Sequence, residues 1–269
     1  MKSLIPCLIL SVQFLLLCNS SYSQEKNDLI GLSFGASNFH ITDEHTSPLI
    51  FRGTGIAPSL SWQHIGVRNS QYAEGSFFYN NLSMSSDNFV TENFRGRFRY
   101  AFLHKTSDSL SVNNRLEFSF GGSVTSFYCK SDYYFEMRTI KARSIASWYW
   151  SHSVDLALQL NYYFSDRKYI GLQIFSPLIS NVSRPPYSPS GNYDYATNEW
   201  IVKPIGRTVL FPRNFSVNSN MVYQLPVSAK LSIRLNWEFF YMKYTKPDDI
   251  GLYMNNFRIG IFYILNKKS

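Results

Sequence analysis

Residues 93–103 read Asn-Phe-Arg-Gly-Arg-Phe-Arg-Tyr-Ala-Phe-Leu and alternate apolar with cationic side chains. Arg95, Arg97 and Arg99 share one parity, and the aromatic residues share the other. Because successive side chains of a β-strand point to opposite faces, the segment predicts a strand with an arginine face and an aromatic face. In a membrane barrel the apolar face contacts lipid and the charged face lines the interior, whereas in a soluble sandwich the apolar face is the inner one.

The N-terminus has the features of a secretory signal. Lys2 supplies the positive charge, residues 4–18 form a short apolar core, and Ser21-Tyr22-Ser23 places small residues where signal peptidase acts. We therefore predict a signal peptide over residues 1–23, followed by one barrel domain over residues 24–269. A transmembrane anchor is the alternative, but the apolar run is short for one.

The composition agrees with an exported barrel. Aromatic residues make up 17% of the chain, yet its mean hydropathy is only −0.18. After the signal, no run approaches the roughly 20 apolar residues that a membrane helix requires. A barrel that alternates between lipid and lumen combines these properties. A soluble, secreted β-sandwich also fits the composition, so the order of elements must discriminate.

Charge and cysteine content limit the partners. Without Lys2, the mature chain has 25 basic and 18 acidic residues, a net charge of +7. An exported protein is not expected to bind nucleic acid, and outer-membrane lipid phosphates are a better partner for this charge. Cys7 and Cys18 leave with the signal, so Cys129 has no intramolecular disulfide partner.

Alternating segments after the signal predict an all-β fold, an antiparallel transmembrane β-barrel of about ten strands. Eight or twelve strands are the alternatives. The third segment is weak because Phe78 breaks its alternation, and residues 133–145 could extend a hairpin above the membrane. The predicted strands cover residues 29–40, 54–66, 71–84, 93–103, 113–128, 147–164, 169–180, 214–225, 231–244 and 256–265.

The connections between these segments alternate in length. Residues 67–70, 165–168 and 226–230 are short connections, and residues 41–53, 129–146 and 181–213 are long ones. One pair fits poorly, because the turn at 104–112 is no shorter than the loop at 85–92. Bacterial barrels have short periplasmic turns and longer external loops. The pattern therefore predicts a bacterial outer-membrane protein with both termini in the periplasm.

Charges on the polar parity are the first candidates for function. The row of Arg95, Arg97 and Arg99 would give a narrow channel anion preference or capture an acidic ligand. The alternative is a plugged interior that carboxylates neutralise, since ten strands enclose little more space than the eight that side chains can fill. The other predicted lumen charges are Glu74, Arg115, Glu117, Asp155, Arg234 and Glu238.

The external loops hold a second group of candidates. His40, Asp43 and His45 could supply an acid–base pair for a surface hydrolase, but their spacing matches no metal-ligand motif and also fits solvated loop charge. We expect neither a metal nor a cofactor. In the long loop, proline and aromatic residues favour a partner-binding segment or an inward plug. Its aromatic candidates are Tyr193, Tyr195 and Trp200.

The segment Ser151-His-Ser-Val-Asp155 contains the residue types of a nucleophilic triad. On a strand, His152 shares the parity of the lipid-facing Val154, while Ser151, Ser153 and Asp155 face the other way. Residues on opposite faces cannot form a hydrogen-bonded triad. We therefore expect His152 to belong to an interfacial aromatic girdle, and we predict no catalytic residue.

Two short motifs resemble a known type of protein. Ser47-Pro-Leu-Ile-Phe-Arg-Gly53 is similar to a Ser-Pro-Leu, aromatic, basic, Gly element of uncharacterised barrels, and a second Ser-Pro-Leu stands at residues 176–178. With the export signal, they resemble small outer-membrane β-barrel proteins of Gram-negative bacteria, especially Bacteroidota. The resemblance implies a barrel and supplies no activity.

The sequence thus favours a non-enzymatic outer-membrane barrel that acts as a structural, binding or assembly component. Its external loops or its lumen would engage a protein partner or a small ligand. A narrow, anion-preferring channel and a surface hydrolase are the two alternatives.

Overall fold

The computed structural model describes residues 27–44, 47–83, 89–106, 116–137, 140–165, 167–184, 206–245 and 249–267. These residues form one antiparallel sheet of twelve strands. None of the described residues belongs to a helix of the length and hydropathy that a bilayer crossing demands. The strands are β1 (Asn27–Asp43), β2 (Ser47–Ile56), β3 (Ser59–Ile65), β4 (Asn69–Ser83), β5 (Phe89–Lys105), β6 (Leu116–Met137), β7 (Ile140–Ser165), β8 (Lys168–Ser183), β9 (Arg207–Leu210), β10 (Asn214–Pro226), β11 (Leu231–Tyr244) and β12 (Ile250–Lys267).

The sheet closes into a barrel with ten strand positions in its wall. β1 pairs with β12, and β8 pairs with β10, so the order of strands returns on itself. β2 and β3 occupy one position, because both pair with β1 and with β4. β9 and β10 likewise follow one another along β8. The predicted fold class is therefore confirmed.

Pro58 explains why β2 and β3 are separate strands within one wall position. Proline has no N–H and cannot complete a ladder. The N–H of Phe77 still donates to the Pro58 carbonyl over 3.0 Å, and the N–H of Ala57 donates to the Gly35 carbonyl over 2.9 Å. The register on either side is continuous, so the break is local.

The outer surface of the barrel is apolar. Phe34 is 61% exposed and Ile261 is 58% exposed, and both lie on the outward parity of their strands. A water-soluble protein rarely exposes so large a continuous apolar area, whereas a membrane barrel presents one to lipid. The architecture is that of a transmembrane barrel with a polar central interior.

We call the end where Asn27 pairs with Lys267 the terminal end and the opposite end the far end. The interior at the far end is an apolar core that includes Phe39, Phe51 and Phe78. Phe78 is fully buried and points inward, so the irregularity in the third predicted strand marks this core rather than a weak strand.

The far-end connections are shorter than predicted. The segment at 41–53 is mostly strand, since β1 reaches Asp43 and β2 begins at Ser47. The segment at 129–146 is mostly a paired extension of β6 and β7, in which Tyr133 lies opposite Ile145. The hairpins keep pairing beyond the apolar belt, because each added pair satisfies backbone groups. Among the gaps between the described strands, the longest is at residues 184–206, between β8 and β9.

Candidate functional site

Four charged side chains close the middle of the interior. Arg97 of β5 and Arg258 of β12 both contact Glu74 of β4, over 3.1 Å and 2.9 Å. Both arginines also contact Glu238 of β11, and Arg258 does so over 3.0 Å. Two cations and two anions therefore form a neutral ring across the lumen, which we call the central ion ring.

Amide and hydroxyl groups complete the coordination of the central ion ring. Asn218 donates to Glu238 Oε1 over 2.6 Å, and Asn256 donates to Glu238 Oε2 over 3.0 Å. Ser76 donates to Glu74. Buried charges need such partners, because an ion out of water is stable only when paired and hydrogen-bonded. The terminal guanidinium nitrogens of the ring are paired with carboxylates, while Nε of Arg97 and Nε of Arg258 have no hydrogen-bond partner among the described residues.

Three interior arginines outside the ring, Arg95, Arg99 and Arg234, lie against phenylalanine rings. The guanidinium carbon of Arg95 is 3.6 Å from the centre of Phe39, and that of Arg99 is 3.9 Å from the centre of Phe175. A desolvated guanidinium over an aromatic face gains about 2 kcal/mol or more. Arg95 also donates to Ser37 over 3.1 Å.

Arg234, which is nearer the terminal end, also lies against a phenylalanine ring. Its guanidinium carbon lies 3.8 Å from the centre of Phe262. It donates to Gln224 over 2.8 Å and to Gln63 over 2.7 Å. The predicted row of arginines is therefore not an open basic ladder, since its charges are held by carboxylates, amides or aromatic rings.

Two cavities between the described strands of the interior are small. A cavity of about 20 Å³ lies on the side of Arg234, and another of about 30 Å³ lies beside Arg99 and Asp155. A cavity needs roughly 10–15 Å³ to hold one water molecule. Each of these cavities has room for one or two waters and none for a hydrated ion.

Asp155 and Glu117 face the interior in different settings. Asp155 is buried and accepts hydrogen bonds from Ser123 over 3.0 Å and Thr125 over 2.5 Å. Glu117 is half-buried near the terminal end, 3.0 Å from Lys105. Arg115 lies outside the described residues.

At the far end, the structure separates the proposed acid–base pair. His40 points outward, and its ring packs on Tyr253 with centres 5.4 Å apart. Asp43 has the opposite parity, is buried in the mouth, pairs with Arg184 and accepts from Ser147 over 2.5 Å. These two residues therefore do not form one site. His45, Tyr193, Tyr195 and Trp200 lie outside the described residues.

Burial around Asp43 also affects a neighbouring phenol. Tyr133, in the extension of β6 beyond the apolar belt, is almost completely buried. Burial raises the pKa of the Tyr133 phenol above its ordinary value, and the negative charge of Asp43 raises it further. The Tyr133 ring packs edge-on against that of Phe51, with centres 5.0 Å apart.

The segment at 151–155 is arranged as its parity predicts. His152 faces outward with its ring 5.4 Å from that of Trp150, while Ser151 and Asp155 are buried on the inner face. In the described part of the chain, no three His, Cys, Asp or Glu side chains come together as metal ligands.

The most important residue without a role in the sequence analysis is Arg258. Its parity places it inside, but its contact with Glu74 joins residues 184 positions apart. Strand alternation is a local property, so it could not show this contact. The signal that could have helped is the pairing of β11 with β12, which puts Glu238 opposite Asn256 and so near Arg258.

Comparison with known proteins gives structural likeness only. No family model matches the chain, and no curated protein matches it in sequence. The outer-membrane protease OmpT of Escherichia coli is similar in structure, with a TM-score of 0.46, 11% identity, and coverage of 91% of this chain and 99% of that chain. The translocator domain of the autotransporter NalP of Neisseria meningitidis has a TM-score of 0.43 and 7% identity, with coverage of 97% of this chain and 97% of that chain. Ail, the attachment invasion locus protein of Yersinia pestis, has a TM-score of 0.37 and 8% identity, with coverage of 87% of this chain and 98% of that chain. We transfer no activity from these proteins.

Proposed function

We propose that this protein is a non-enzymatic component of the bacterial outer membrane, which binds a partner through its far end and uses its barrel as a closed anchor. The observation that carries this proposal is the central ion ring, in which Arg97, Arg258, Glu74 and Glu238 bridge the lumen. Because these charges are paired with each other, they are not free to coordinate an ion that passes through the lumen.

The same geometry ranks the alternatives. An anion channel needs basic groups that face a water-filled path, but Arg95 and Arg99 are buried against Phe39 and Phe175. A surface hydrolase needs its acid and base within hydrogen-bond reach of one reacting atom. His40 and Asp43 lie on opposite faces of β1, which weighs against that reaction.

The orientation belongs to this proposal as well. We place both termini in the periplasm and the far end outside the cell, because the longest connection between described strands, at 184–206, is at the far end. The likeness of Ser47–Gly53 to Bacteroidota barrels supports a host of that type. In this orientation, the connection that contains Tyr193, Tyr195 and Trp200 is on the external side of the membrane.

The experiment is extraction from native outer membranes in mild detergent, affinity purification and mass spectrometry. We expect a stoichiometric partner that is lost when residues 186–204 are replaced by a short Gly-Ser linker, which keeps Arg184 and its ion pair with Asp43. The matched control replaces residues 107–114 at the terminal end and should retain the partner. A wild-type protein that purifies as a clean monomer would contradict the proposal.

A further inference from the structure

A groove runs across the outer wall where neighbouring strands lack large outward side chains. Gly75 of β4, Gly96 of β5 and Ser126 of β6 line it, and Phe77 and Phe98 stand beside the glycines. In the register, Gly75 lies opposite Phe98 and Gly96 lies opposite Phe77, so small and aromatic residues alternate. The groove has a volume of about 520 Å³ and opens outward from the wall.

The two glycines of the groove have no steric reason to be glycine. A Cβ on Gly35, Gly55 or Gly121 would lie within 2.0 Å of a backbone oxygen of the next strand. A Cβ on Gly75 or Gly96 would meet nothing within 4 Å, and the pairing of β4 with β5 has no register shift there. Glycine inside a strand costs about 0.5–1 kcal/mol relative to alanine, and it often marks close approach of a ligand.

The groove also has an ordered wall. Trp150 of β7 lines it, and its indole N–H donates to the Ser126 hydroxyl over 3.2 Å. The ring of Tyr128 packs edge-on against Trp150 with centres 5.5 Å apart. Aromatic side chains held in this way keep the groove open instead of collapsing over the glycines. Gly251 is also sterically free, but it lies elsewhere, opposite Lys243.

The position of the groove limits its occupant. It lies in the apolar outer surface, beside Leu32 and Leu60, which are 50% and 56% exposed. An occupant must therefore be apolar, because a polar group would lose its hydrogen bonds in hydrocarbon. A second copy of this chain is the other apolar occupant to be considered, and its oligomeric state is measured in the test below.

We propose that an acyl chain of a membrane lipid binds in this groove, lying over Gly75 and Gly96 between Phe77, Phe98 and Trp150. A flexible chain fits a depression of this shape, since it supplies dispersion contacts along its length without a polar group to satisfy. The site is independent of the proposed function, because it involves the wall and neither the lumen nor the far end.

The test is photo-crosslinking of the mature protein in vesicles of phosphatidylethanolamine and phosphatidylglycerol. A small fraction of the phospholipid carries a diazirine on an acyl chain, and the labelled residues are located by peptide mass spectrometry. We expect labelling of the strand segments around Gly75 and Gly96 to exceed that of the outward residues at 257–261 roughly tenfold. Equal labelling around the belt would overturn the proposal.

A filled groove provides the matched comparison. The double variant Gly75→Leu/Gly96→Leu should insert normally, because nothing lies within 4 Å of either new Cβ. Its labelling should fall to the level of residues 257–261, whereas Ile259→Phe, which adds bulk elsewhere on the belt, should leave labelling of the groove unchanged. Unchanged labelling of the double variant would overturn the proposal.

Two further measurements keep the test decisive. Heat-modified migration on gels reports whether each variant folds, and Gly96→Val replaces the double variant if that one does not insert. Light scattering in detergent reports the oligomeric state. A wild-type dimer that the filled groove dissociates would assign the groove to a second copy and overturn the lipid proposal.

Discussion

At the scale of single residues, the interior follows a simple rule for its arginines. Arg97 and Arg258 meet carboxylates directly, while Arg95, Arg99 and Arg234 each lie within 3.9 Å of the centre of a phenylalanine ring. Aromatic rings and amide oxygens thus take the place of carboxylates for the arginines that have no carboxylate beside them. This arrangement gives each of these buried arginines a carboxylate or an aromatic ring as a partner.

Glu238 is the residue on which the central ion ring depends most. It receives Arg97, Arg258, Asn218 and Asn256. Removing one partner of a buried ion pair costs about 3–5 kcal/mol, because the other charge stays buried without it. We expect Glu238→Ala to lower the free energy of unfolding by about that amount, measured by urea unfolding in lipid vesicles.

The control for this prediction is Glu117→Ala. Glu117 also faces inward and also pairs with a cation, Lys105, but it is half-buried near the terminal end. Solvent screens such a pair, so its loss should cost about 1 kcal/mol or less. Equal decreases in the free energy of unfolding for the two variants would show that the central ion ring contributes no more to stability than the half-buried pair of Glu117 with Lys105.

At the scale of strands, the glycines divide into two classes that look alike in the sequence. Gly121 of β6 is required, because a Cβ there would lie 2.0 Å from the Phe102 carbonyl oxygen of the adjacent strand. Gly75 of β4 is free of such contacts. We expect Gly121→Ala to destabilise the barrel or block its insertion, and Gly75→Ala to stabilise it by about 0.5–1 kcal/mol.

Both variants can be compared by the fraction that acquires heat-modified migration and by urea unfolding of that fraction. The pair is matched, since each change adds one methyl group to a strand of the same sheet. A tolerated Gly121→Ala with a harmful Gly75→Ala would reverse the assignment and would mean that the close approach of β5 and β6 relaxes easily.

At the scale of the whole molecule, side chains of the described strands fill much of the barrel interior. The far half of its interior is an apolar core that includes Cys129 and Met254, the middle holds the central ion ring, and the cavities of about 20 and 30 Å³ lie on either side of the charges. Filling of this kind follows from size, because ten strands enclose only slightly more space than eight.

The whole-molecule prediction is the absence of conductance. Purified protein in a planar bilayer should give no discrete current steps, because the apolar core and the paired charges of the described residues fill much of the interior. Insertion is verified by recovery of heat-modified protein from parallel vesicles. Regular steps whose ion preference changes sign in an Arg97→Glu variant would mean that the lumen opens, and the channel would then replace our proposal.

The alternation of residues was sufficient to predict the class of fold and a barrel of about ten strands, with eight or twelve as alternatives, because a period of two is a local property of a strand. The pairing of Arg97 with Glu238, 141 residues apart, was beyond local pattern. This pairing depends on how the sheet closes and on the offset between neighbouring strands. These two features decide which inner side chains lie at the same level along the barrel axis and so meet across the lumen. Tertiary structure likewise turned the expected loops at 41–53 and 129–146 into paired strand and filled the lumen.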